Sequence, residues 1–243
     1  MNIDLIKKII KEQFFTNFFQ PIYHLVNQKV LGYESLFRCT LVKNPEHLFN
    51  YALQHGLVHE LDTASITNSL REFKKYHSHH LFLSLNVYPS TISMSFFTQF
   101  LEELVNSFSI PSRQIVLEIN ESERLTNLDK LSKSICLLQE KGFLIALDDF
   151  GKGEYSFHSL TEINPDIIKL DRCFAKNLAN DPKKQETLLY ALNLLGESNK
   201  IILEGIETEE DMRCAKSLGV SYGQGYYFAK PLPLHMINVH SAT

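Results

Sequence analysis

Short apolar runs bounded by polar segments recur along the chain and set its element order. Leu81-Phe82-Leu83 and Ile201-Ile202-Leu203 predict strands buried on both faces. At the start, Ile3, Ile6, Ile9 and Ile10 fall at helical spacing and predict an amphipathic helix over 4–15. Strands over 18–25 and 30–37 flank Val26-Asn27-Gln28-Lys29, a tight-turn tetrapeptide, and so pair antiparallel. A helical stretch over 45–76 is broken near Gly56. Strands follow over 81–87, 114–119, 143–148, 166–170, 200–204 and 221–224, with helices over 91–108, 126–141, 155–162, 183–197 and 208–218 between them.

Strands separated this regularly by helix-length stretches predict a single (βα)8 TIM-like barrel, with its first strand antiparallel to the rest, rather than a doubly wound sheet. A chain of 243 residues, 44% of them hydrophobic, is long enough for one such core. The expected organisation is one domain over 1–243: a helix over 1–16 docked on the barrel, the barrel over 17–232, and a tail over 233–243, with Pro231-Leu232-Pro233 marking the passage from barrel to tail. The aromatic run Phe14, Phe15, Phe18 and Phe19 is assigned to core packing under the first strand rather than to base stacking.

Most of the apolar runs end on a residue that binds metals through oxygen or carries charge: Glu34, Asn86, Glu118, the pair Asp148-Asp149, and Glu204, with Lys169 among them. A parallel barrel gathers its strand ends onto one face, where the chemistry of that architecture sits. Successive strand residues point to opposite faces, so Asp148 and Asp149 reach one site only if the chain bends, a bend assigned to Gly151 and Gly153. Lys169 alone cannot balance so many acids. Carboxylates with one amide, and neither His nor Cys, suit hard divalent cations, Mg²⁺ or Mn²⁺. Paired acids also permit two such ions ~3.5–4 Å apart, an arrangement suited to phosphodiester hydrolysis.

Other chemistries are disfavoured. A net charge of -4 with interspersed signs leaves no footprint for long nucleic acid or an anionic membrane. The 4 cysteines form no Cys-x-x-Cys pair, which argues against a zinc knuckle or dithiol redox site. No segment reaches the ~20 apolar residues of a membrane span, and no leader pattern opens the chain, so the expected location is cytoplasmic. His77, His79 and His80 precede a strand without helical spacing and are assigned to a solvated loop; His55 and His59, at i, i+4 spacing in a helix, are assigned to a surface or packed pair.

The segments Gln20-Pro21-Ile22, Gly32-Tyr33-Glu34-Ser35-Leu36-Phe37-Arg38, Leu85-Asn86, Leu117-Glu118-Ile119-Asn120-Glu121-Ser122, Asp148-Asp149-Phe150-Gly151, Ile168-Lys169-Leu170-Asp171, Glu204-Gly205-Ile206-Glu207-Thr208 and Gln224-Gly225-Tyr226 occur in an order that resembles the EAL-domain family of cyclic di-GMP phosphodiesterases over essentially the whole chain. The resemblance implies hydrolysis of cyclic di-GMP to linear pGpG. It also implies that Glu34, Asn86, Glu118 and Asp148 hold one metal, and that Asp148, Asp149 and Glu204 hold a second. Lys169 would orient or activate the attacking water, and Glu204 also counts among the catalytic groups. Arg38, Gln20, Asp171 and Gln224 would contact the dinucleotide; Glu121 and Glu207 would brace the ligand loops.

Two departures stand out. Ser35 replaces the Ala of the family's Glu-Ala-Leu, which adds one hydroxyl beside Glu34 and is expected to be tolerated. Lys152 and Glu154 replace Thr and Tyr in the loop after the Asp pair, a segment that supports the second metal and the dimer contact, so they bear on turnover. The resemblance further implies a homodimer. With no sensor or cyclase module in the sequence, regulation is expected to come from expression, oligomerisation or a separate regulatory protein. The competing reading is a catalytically weak or inactive domain that acts as a cyclic di-GMP receptor or as a protein-interaction module.

Overall fold

The computed structural model describes residues 2–76, 80–119, 128–152, 157–196 and 199–237. Eight strands close into a barrel: β1 (Phe15–His24), β2 (Lys29–Cys39), β3 (Phe82–Val87), β4 (Ile115–Ile119), β5 (Leu144–Phe150), β6 (Ile167–Leu170), β7 (Lys200–Leu203) and β8 (Tyr222–Gly223). β1 runs antiparallel to both neighbours, β2 and β8, and every other pair is parallel.

The barrel interior explains where the polar residues go. Ile22, Val116, Ala146, Ile167 and Ile202 form one buried cluster with Phe82, Leu144 and Tyr222 packed against it, a layer contributed by strands around the whole circumference. Side chains return to the same face every second residue. Two residues beyond that layer, at or just past the strands' carboxyl ends, stand Glu118, Asp148, Lys169, Glu204 and Gln224. On antiparallel β1 the same step runs backwards from Ile22 to Gln20, which pairs with Glu34. The apolar layer thus sets a floor and the period of two delivers a polar ring directly above it. Gly32 belongs to the floor: a Cβ there would lie 2.4 Å from the Phe82 carbonyl oxygen and 2.6 Å from the ring's Cγ, so the absent side chain makes room for Phe82.

The helices are α1 (Ile3–Lys11), α2 (Pro45–Gln54), α3 (Val58–Tyr76), α4 (Pro89–Ile92), α5 (Phe97–Phe108), α6 (Leu128–Glu140), α7 (Phe157–Ile163), α8 (Pro182–Leu195) and α9 (Glu209–Ser217). α1 docks through Ile6 and Ile9 onto Leu48, Ala52 and Leu61, whereas Ile3, assigned to the same face, is exposed. It also stops earlier than its apolar pattern suggests, because Gln13 takes a left-handed φ of 55° and turns the chain into β1 at Phe15. The single helix expected over 91–108 is two pieces, α4 and α5. Leu232 bridges back to Phe19, and Leu234 is buried in the main core cluster, so the segment after Pro231 packs against the barrel as far as it is described.

Asp62 on α3 is 1% exposed; its Oδ2 accepts from the Tyr88 backbone N–H (3.1 Å) and the Thr91 hydroxyl (2.5 Å). α4 has no side-chain cap of its own, so this carboxylate from another helix caps it and fixes the turn that follows Asn86. Asp62→Ala strands two buried donors and is expected to cost about 2–3 kcal/mol, the scale of lost hydrogen bonds to a charged group. Urea unfolding of both proteins measures it, and a loss within about 0.5 kcal/mol, the range of an indifferent surface change, would contradict the capping role.

Candidate active site

Lys169 lies at the centre of the polar ring. Its Nζ is 2.8 Å from Asp148 Oδ1, 2.8 Å from Glu204 Oε1, 3.0 Å from Glu118 Oε2 and 3.5 Å from Glu34 Oε2, and the side chain is 1% exposed. Four carboxylates, one from the middle of β2 and three at or just past the carboxyl ends of β4, β5 and β7, therefore converge on one ammonium group. The Asp148 contact is an ion pair without hydrogen-bond geometry.

The remaining hydrogen bonds fix the acids. Glu34 accepts from Asn86 Nδ2 at Oε1 (3.1 Å) and from Gln224 Nε2 at Oε2 (2.6 Å). Gln224 also donates to Gln20 Oε1 (3.1 Å), and Gln20 donates to the Ala229 carbonyl (3.0 Å), so a chain of amides across the β8–β1–β2 seam holds Glu34. Glu118 accepts from the Ser84 hydroxyl at Oε1 (2.5 Å) and from Lys169 at Oε2 (3.0 Å). The Ser35 hydroxyl, absent from the family pattern, meets Ser69 Oγ at 2.7 Å, which satisfies it away from the ring.

Burial pushes the Glu118 carboxyl well above the usual carboxylate range, against the opposing pull of Lys169. Glu204 is likewise pushed up to about 8 by burial, with Lys169 again opposing. Burial is also the largest single influence on Lys169 and pulls it down, but the surrounding carboxylates together hold it well above its ordinary value. One ammonium does not neutralise this many acids, and the donor set calls for further positive charge.

Asp149 joins the site through an unusual backbone. Its φ is +54°, and the β5–β6 register slips between Leu147 and Phe150. The bend assigned to Gly151 and Gly153 therefore starts at Asp149 itself; Gly151 follows with φ 101°, and Gly153 lies outside the described residues. Ligand oxygens of Asp148, Asp149 and Glu204 lie within 4.8 Å of one another, which fits a hard divalent cation. Asp149 Oδ2 also accepts from Lys152 Nζ at 3.1 Å.

Two cavities open onto the ring. One of about 550 Å³ is lined by Arg38, Glu46, Phe49, Asn86, Tyr88 and Lys152, among others. Another of about 330 Å³ is lined by Gln20, Glu34, Asp171, Glu204, Glu207 and Gln224, among others. Asp171 accepts from the Cys173 backbone N–H (2.8 Å) and is 7% exposed, while Glu207 is exposed at the rim. Arg38 donates to the Phe37 carbonyl (2.8 Å) and lies over the Phe18 ring at 5.6 Å. Of the expected loop braces, Glu121 and Glu154 lie outside the described residues, as do Asn120, His77 and His79; His80 is exposed. Asp62, which the sequence reading passed over, lines the larger cavity.

The closed eight-stranded barrel with one reversed strand carries a carboxylate ring around a lysine, in which Asp148, Asp149 and Glu204 could hold a metal ion. The chain matches the family model described as EAL domain over residues 4–231, and it belongs to that family. It is 31% identical over 238 residues to the cyclic di-GMP phosphodiesterase PdeA of Borreliella burgdorferi, covering 94% of this chain and 35% of that protein. The chain spans about a third of the length of the curated relatives it matches. Among solved structures it resembles the EAL enzyme Bd1971 in a form with cAMP and cyclic di-GMP bound, at 25% identity, TM-score 0.87, and 96% and 66% coverage of the two chains. An EAL-domain protein of Listeria monocytogenes is similar at 26% identity and TM-score 0.83, with 97% and 95% coverage. Among the described residues no helix is long and apolar enough to cross a membrane.

Proposed function

We propose that this EAL domain hydrolyses cyclic di-GMP to linear pGpG with two Mg²⁺ or Mn²⁺ ions. The observation that carries the reading is the convergence of Glu34, Glu118, Asp148 and Glu204 on Lys169, with Asp149 close enough to Asp148 and Glu204 to share a cation. Glu34, Asn86, Glu118 and Asp148 would hold one ion, and Asp148, Asp149 and Glu204 the other. When bound, such ions acidify water and polarise a phosphoryl oxygen. In the overall reaction a water oxygen bonds to one phosphorus, the bond from that phosphorus to the 3′ oxygen breaks, and the proton released ends on the 3′ hydroxyl or in solvent.

The chain's own groups complete the site. Lys169 supplies a buried ammonium at the height where negative charge develops. Gln20 and Gln224 steady Glu34 and stand at the edge of the smaller cavity, which Asp171 also lines and where it would meet the dinucleotide. Arg38 presents a guanidinium to a phosphate oxygen from the wall of the larger cavity. Arg38→Ala is expected to raise KM by ~10-fold or more while kcat changes little, the scale of one charge-assisted hydrogen bond. A fall confined to kcat would remove Arg38 from substrate capture.

Incubating the purified protein with cyclic di-GMP and Mg²⁺ or Mn²⁺, with pGpG followed by chromatography, tests the assignment. Activity is expected to vanish in excess chelator and return with Mg²⁺; full activity in chelator would overturn it. The Lys152–Asp149 pair favours a second reading, in which the domain binds cyclic di-GMP and turns it over slowly or not at all. Binding without pGpG at saturating Mn²⁺ would select it. Leu189, Tyr190 and Leu194 form an exposed apolar stripe on α8.

A further inference from the structure

We propose that Lys152 is an internal competitor for the second cation position, its ammonium engaging Asp149 and setting how tightly a second divalent ion enters the ring. The inference rests on the metal-dependent reading above.

Local geometry builds the contact. Asp149 takes a left-handed φ of +54°, and the Lys152 N–H donates to the Asp149 carbonyl at 3.2 Å, a tight turn that brings the side chains at i and i+3 together. Lys152 Nζ then donates to Asp149 Oδ2 at 3.1 Å. Asp149 is one of the three acids whose oxygens lie within 4.8 Å of each other, and the other two, Asp148 and Glu204, are each 2.8 Å from Lys169. The lysines therefore divide the ring: Lys169 holds the inner acids from a side chain 1% exposed, and Lys152 holds the outer one from a side chain 65% exposed. Lys152 also lines both cavities, so it stands where they meet over the ring.

A divalent cation that binds Asp149 must displace this ammonium and then sit beside its positive charge. Lys169 is enclosed by its acids, whereas Lys152 is free to swing outward, so the competition is graded and blocks nothing. Losing an exposed ion pair shifts an equilibrium constant by up to about fivefold, and repulsion of a doubly charged neighbour adds to that. The residue adjusts the site through Asp149 and touches no reacting atom. It makes occupancy of the second position, and hence turnover, respond to the free divalent-ion concentration.

Calorimetric titration of the full chain with MnCl2, without nucleotide, tests this. The wild type is expected to show a tighter and a weaker class of site. K152M and K152T are expected to tighten the weaker class by about three- to tenfold and to leave the tighter class unchanged, whereas K152R, which keeps the charge, retains wild-type binding. Thermal melting checks that these exposed substitutions leave the fold intact. Unchanged isotherms in K152M, or a weaker second class, overturn the proposal while leaving the metal-dependent reading standing. Absence of Mn²⁺ binding in wild type and K152M alike overturns both.

Discussion

Glu118→Gln is expected to cut hydrolysis of cyclic di-GMP by at least ~10²–10³-fold, the scale of removing one preorganised charged group from a buried site, without unfolding the protein. Glu118 is fully buried, and it is held by Ser84 at 2.5 Å and Lys169 at 3.0 Å. The amide keeps the volume, its oxygen can accept from Lys169 and its NH2 can donate to the Ser84 hydroxyl oxygen, so packing survives while the charge that would hold a cation is lost. The ionised carboxylate is itself disfavoured by burial, which pushes its protonation well above the usual range. Removing that charge therefore relieves part of the cost it imposes on folding, and the melting temperature measured in chelator should stay close to wild type. A steady-state assay at saturating Mg²⁺ with parallel melting curves decides the matter. If E118Q keeps its rate within about tenfold, less than the loss expected for a preorganised charge, Glu118 is a structural acid and the first cation position is misplaced.

The ring was legible because strand periodicity ties it to the apolar layer beneath: once Val116, Ala146, Ile167 and Ile202 are inward, Glu118, Asp148, Lys169 and Glu204 must be too. Asp149 breaks that rule, and nothing local announced that a non-glycine residue would take the left-handed turn. The following glycine was the conformationally cheaper choice, and Gly151 does take φ 101°, but the bend begins before it, at Asp149. Lys169 was visible as a strand-end residue, while its contact with four acids depends on tilt and closure of the barrel, which a linear pattern does not encode. Gln20 and Gln224 are 204 residues apart and meet only because β1 runs backwards between β8 and β2. Asp62 left a readable trace: it falls on the buried stripe of α3 with Leu61, Ile66, Ser69, Leu70 and Phe73, and an acid on such a stripe requires a partner. That partner, the turn after β3, was fixed by tertiary packing.

Lys169→Ala separates stability from chemistry. Its ammonium is the shared neighbour of Glu34, Glu118, Asp148 and Glu204, so its removal leaves buried carboxylates facing one another, a change of the kind that costs about 3–5 kcal/mol when one partner of a buried ion pair is deleted. In chelator the variant is expected to melt well below wild type. Divalent cations at the same carboxylates supply the missing positive charge, so much of that stability should return on adding Mg²⁺. The rate should not return with it. A lysine at the ring's centre can stabilise charge on a phosphoryl oxygen or steer a water proton, and losing such a group costs at least ~10²-fold in kcat, with little change in KM because the substrate's remaining contacts lie along the cavity walls. Melting curves with and without Mg²⁺, set beside kcat and KM at saturating Mg²⁺, read the two roles independently. A variant that regains both stability and rate would show Lys169 to be a counter-ion alone; one that regains neither would show that the acids around it hold no cation, and the phosphodiesterase reading would fall with it.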